Sequence, residues 1–122
     1  MSYDIRFGVK VVGAPDDVFA VIGRPDFDNP TYNIKEIFVK SMDWDYQQGE
    51  WYSMVEVLPK VQRGIHELIV HGKDYKKYED DKGWGTVSTA LDTLQSIQAW
   101  FADDFYSHWD TDIPLECIYM RW

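Results

Sequence analysis

Met42-Asp-Trp-Asp-Tyr-Gln-Gln-Gly-Glu-Trp-Tyr52 lies between two stretches of helical apolar spacing, and its reading decides how the chain folds. A connector between helices is ordinarily small and polar, rich in Gly, Ser and Asn. This one carries Trp44, Tyr46, Trp51 and Tyr52 beside Asp43, Asp45 and Glu50, with no basic residue among them. Rings of that size need a surface to cover. Either the stretch closes as a lid on the core, or it offers an acidic, aromatic surface to a partner.

On its N-terminal side, Asn33 followed by Glu36 is a helix-start signal, and Ile34, Ile37, Phe38 and Met42 fall on one helical face. On its C-terminal side, Ser53 followed by Glu56 opens a second helix with the stripe Met54, Val57, Leu58, Val61, Ile65, Leu68 and Ile69. Pro59 and Gly64 weaken that helix, and a start near Leu58 would put Pro59 in its first turn. Gly72 reads as its C-cap. Lys73–Lys82 reads as a short, self-neutralised helix capped by Asp74, and Gly83-Trp-Gly85 as a breaker. Thr86 opens a third long helix with the stripe Val87, Ala90, Leu91, Leu94, Ile97 and Phe101, bordered by Trp100 and Phe105.

Further out, Tyr3, Ile5, Phe7, Val9 and Val11 alternate with Asp4, Arg6, Gly8 and Lys10, the two-residue period of a half-buried strand. A turn over Gly13–Asp17 and the apolar run Val18–Ile22 make this a hairpin. Two prolines exclude a regular element from the loop that follows, Gly23–Pro30. Leu115–Trp122 closes the chain as a strand, with Ile118, Met120 and Trp122 on one face and Cys117 and Tyr119 on the other. The pattern predicts a single α+β domain over residues 1–122. Its three-stranded antiparallel sheet, the N-terminal hairpin plus the C-terminal strand beside the first, is packed on one face by three to four helices.

The 122 residues suit one core, and 45% hydrophobic with 16% aromatic content excludes disorder. Acidic residues number 21 against 12 basic, a net charge of −9. The excess is uneven. Asp43, Asp45, Glu50 and Glu56 share the span from Ser41 to Glu56 with no base. Asp92, Asp103, Asp104, Asp110, Asp112 and Glu116 share Gly83–Met120 in the same way, whereas Val57–Lys82 is close to balanced. Such a surface repels nucleic acid and anionic membranes. It suits a protein partner with a basic surface. Cys117 is the lone cysteine, so no intrachain disulfide forms and a reducing compartment fits. With no signal segment and no long apolar run, a cytoplasmic location is expected.

His66 and His71 stand five apart, about 140° away from each other on a helix, against the four-residue spacing of zinc-protease helices. The pairs Asp43/Asp45, Asp103/Asp104 and Asp110/Asp112 lack the loop that gathers oxygens around a cation. No nucleophile motif, phosphate loop or dinucleotide fingerprint occurs. The reading is therefore non-enzymatic, with no cofactor and no metal site. The partner-binding candidates are Asp43, Trp44, Asp45, Tyr46, Glu50, Trp51 and Tyr52, together with Asp103, Asp104, Trp109, Asp110 and Asp112. Trp and Tyr are the side chains most enriched where interfaces are anchored, and with Tyr106 these rings lie outside the apolar stripes.

Tyr3-Asp-Ile-Arg-Phe7, Pro30-Thr-Tyr-Asn33, Met42-Asp-Trp-Asp-Tyr46, Gly83-Trp-Gly85 and Pro114-Leu-Glu-Cys-Ile-Tyr-Met-Arg-Trp122 carry a resemblance. Over nearly its full length the chain resembles small uncharacterised proteins encoded by phages and prophages of Gram-positive bacteria. The resemblance implies no activity, cofactor or site residue. It implies a context, the host cytoplasm, where small acidic phage proteins often inhibit host defence, anti-CRISPR proteins included. The expected function is thus an acidic interaction module that occupies a nucleic-acid-binding effector. The alternatives are a homo-oligomeric structural or accessory protein whose aromatics meet across a symmetry axis, and a small ligand-binding protein with a pocket beneath the aromatic stretch.

Overall fold

The alternating N-terminal stretch becomes β1 (Arg6–Lys10), and the second apolar run becomes β2 (Phe19–Gly23). The structure, a computed structural model, describes residues 5–10, 19–23, 30, 32–83, 85–100 and 115–122. After the hairpin come α1 (Lys35–Met42), β3 (Trp51–Ser53), α2 (Met54–Val70), α3 (Val87–Ala99) and β4 (Ile118–Arg121). Short 3-10 turns cover Tyr32–Ile34, Gly72–Tyr78 and Leu115–Cys117.

The three predicted strands pair antiparallel as expected, β1 lying between β2 and β4. To these the connector itself adds a fourth, since Trp51–Ser53 pairs antiparallel with β4 and the sheet order is β2-β1-β4-β3. The register puts Phe7 opposite Met120 and Met120 opposite Tyr52, so these three share the core face. Ile118, Met120 and Trp122 are all buried, the face read from the sequence. Phe7 stacks on Trp100, just past α3, with ring centroids 3.8 Å apart, and Trp122 packs on Phe38 of α1 at 5.1 Å. These contacts lay the helices on that face. Each fully buried side chain of this size contributes roughly 1.5–3 kcal/mol.

Each helix obeys its stripe with informative exceptions. In α1 Ile37, Phe38 and Met42 are buried, and Ile34 just before it also. Asn33 does not cap α1; its Nδ2 donates to Asp80 Oδ2 at 2.8 Å, a distant partner outcompeting the local one. Ser53 does cap α2, its Oγ accepting from the Val55 N–H at 3.3 Å, and Thr86 caps α3 through the Thr89 N–H at 3.1 Å. Consequently α2 starts at Met54 and carries Pro59 in its interior, not in its first turn. Met54, Val57, Val61 and Leu68 are buried, but Ile69 is 61% exposed. The last turn of α2 runs past the core it lies on. Gly72 begins a 3-10 turn and His71 is the C-cap; Asp74 makes no side-chain capping bond. The C-terminal strand is shortened to β4 by the 3-10 turn before it.

Gly64 marks where three helices meet. A Cβ there would lie 2.7 Å from Leu94 Cδ1 of α3 and 2.8 Å from Met42 Cγ of α1. The buried hydroxyls nearby are satisfied within their own helices, Ser41 Oγ by the Phe38 carbonyl and Thr93 Oγ1 by the Thr89 carbonyl. Only a residue without a side chain lets the backbones approach this closely.

Candidate interaction surface

The connector leaves α1 through Asp43, a non-glycine residue in the left-handed conformation at φ 50°. The Asp43 N–H bonds to the Lys40 carbonyl and the Trp44 N–H to the Val39 carbonyl, closing the helix in a Schellman motif. From there the chain alternates. Trp44 is 8% exposed and Tyr46 0%, while Asp43 and Asp45 face water. A turn follows, closed by the Glu50 N–H on the Gln47 carbonyl, with Gly49 at φ 83° supplying the left-handed position. Glu50 is exposed. The Gly49 N–H then reaches the Trp122 carbonyl at 3.3 Å, tying the turn to the C-terminus.

The rings form a continuous set. Tyr46 stacks on Trp122 at 4.6 Å and 13°, Trp44 tilts against Tyr46 at 5.3 Å, and Tyr52 meets Trp44 edge-on at 4.8 Å. The Tyr52 hydroxyl accepts from the Gln47 N–H at 2.8 Å, bracing the turn from beneath. Each such ring pair adds roughly 0.5–1.5 kcal/mol beyond the area it buries. Trp51 alone of the four points to the outer sheet face, in register with Arg121, whose guanidinium carbon lies 5.2 Å from its ring centre.

This placement corrects the candidate set. Trp44 and Tyr46 are core side chains and cannot anchor a partner, because Tyr46 is stacked on Trp122 and Trp44 is packed against Tyr46 and Tyr52. Trp51 and Tyr52 are half-buried. Asp43, Asp45 and Glu50 stand out in water, as does Glu56 in the first turn of α2. None of these four carboxylates forms an ion pair with a described residue. Two cations of this region lie against rings, Lys60 Nζ at 5.8 Å from the Trp44 centroid and Arg121 over Trp51. Asp103, Asp104, Trp109, Asp110 and Asp112, with Tyr106, fall outside the described residues. The alternation Asp43-Trp44-Asp45-Tyr46 is itself a period-two signal of one face in and one out.

The opposite end of α2 behaves differently. Glu67 takes the Tyr75 hydroxyl at 3.1 Å and lies 4.0 Å from Arg63. Burial first, then Glu67, pushes the Tyr75 hydroxyl up to about 12. The Glu79 carboxylate accepts the Val87 N–H at 2.8 Å, a negative charge on the α3 N-terminus. Asp80 accepts from the Lys82 N–H and from Asn33, which hold its carboxyl below the usual range. A groove of about 850 Å³ opens here, lined by Ile69, Val70, Lys73, Lys76 and Leu91 among others. It lies at the far end of α2 from the aromatic stretch, not beneath that stretch, where the ligand-binding alternative puts its pocket.

His66 and His71 are both exposed, and no group of three potential metal ligands gathers among the described residues. No described helix is long and apolar enough to cross a membrane. No family model, curated protein or solved structure matches the chain.

Proposed function

We propose that the protein is a non-catalytic interaction module that docks its acidic edge, Asp43, Asp45, Glu50 and Glu56, on a basic surface of a protein partner. The observation that carries this reading is the division of labour within one short segment. Rings facing inward fix the backbone, and the carboxylates facing outward form no ion pair with a described residue. Charges held on a rigid support lose little freedom when a partner arrives. Unpaired carboxylates retain their full attraction for lysine and arginine. The partner class with the matching surface is a protein that binds nucleic acid, and covering that surface would exclude the nucleic acid. Inhibition of a host nucleic-acid-binding effector is the activity that follows.

A competition assay tests this. Purified basic nucleic-acid-binding proteins are titrated with the chain in the presence of labelled duplex DNA, at about 50 mM and about 300 mM salt. The expected result is displacement of DNA from at least one protein at low salt, weakened about tenfold at the higher salt. It should weaken about tenfold again for the Asp43→Asn/Asp45→Ala/Glu50→Ala variant. Displacement that ignores both changes would overturn the reading.

A further inference from the structure

We draw no further inference here: the strongest candidate, the groove between the end of α2, the 3-10 turn over Gly72–Tyr78 and the start of α3, sets Lys73 and Lys76 against Asp74 and Glu79 and so carries no net charge that selects a ligand, and nothing in the structure shows what covers the exposed Ile69 and Val70 that line it.

Discussion

The two ends of α2 treat charge in opposite ways. At its start, Asp43, Asp45, Glu50 and Glu56 point into water and no described cation pairs with them. At its end, Glu67, Glu79 and Asp80 each hold a specific donor from another segment, Tyr75, the α3 N-terminus and Asn33 respectively. Lysines there are used as well, Lys40 and Lys77 lying 5.6 Å and 5.3 Å from the Tyr78 ring centre. Carboxylates at the end of α2 build the fold, and those at its start ride on it. A charge that no described residue pairs, mounted on a rigid aromatic base, is the one the proposed partner would meet.

The comparison can be broken first at its base. Tyr46→Ala removes a fully buried ring stacked on Trp122, and the loss should be about 3–5 kcal/mol in urea unfolding. A loss under about 1 kcal/mol would mean the acidic edge does not depend on the rings beneath it. Gly64→Ala comes next. Its Cβ would press on Leu94 and Met42, and overpacking of this kind costs about 1–3 kcal/mol, a cost that reaches both ends because it unseats the helix joining them.

The fold was legible where a segment decides its own structure. The burial of Ile5 and Phe7, the Ile118-Met120-Trp122 face, the α1 stripe and the caps Ser53 and Thr86 stand in the structure as read. What was not legible was decided at a distance. β3 is three residues long and exists because β4 offers an edge, so it has too few positions to show a period. Asn33 looked like a cap and is a tie to Asp80, 47 residues away. Ile69 continued a stripe that outlasts the core, and no local pattern says where a core ends. For the candidate surface, Asp43, Asp45 and Glu50 are exposed while Trp44 and Tyr46 turn inward. Reading the rings at 44 and 46 as anchors overlooks the aspartates that alternate with them, the period-two signal that they turn inward.

Tyr75 gives a pH signature to the end of α2. Its hydroxyl ionises near 12 when folded against an ordinary value of 10.0, so the folded state holds its proton more tightly. That contribution is complete below pH 10 and is lost as pH rises toward 12. Tyr75→Phe should flatten the fall in stability over this window relative to wild type, and an unchanged slope would remove the Tyr75–Glu67 bond from the account. Asp80 works with the opposite sign. Its folded value is depressed, so its contribution is present above pH 3.8 and fades as pH falls through the depressed value. In acid titrations Asp80→Asn should remove that fading, the smallest of these effects because the group is exposed.

The most direct test sets the two ends against each other with charge held equal. Asp45→Ala/Glu50→Ala and Glu67→Ala/Glu79→Ala each remove two carboxylates, taking the net charge from −9 to −7 (−9 + 2). Their unfolding free energies in urea, measured side by side with wild type, separate carried charge from structural charge. The first pair should stay within about 0.5 kcal/mol of wild type, as exposed positions without partners do. The second should lose about 1–3 kcal/mol, as carboxylates stripped from buried or backbone donors do. Equal losses in the two pairs would contradict the account.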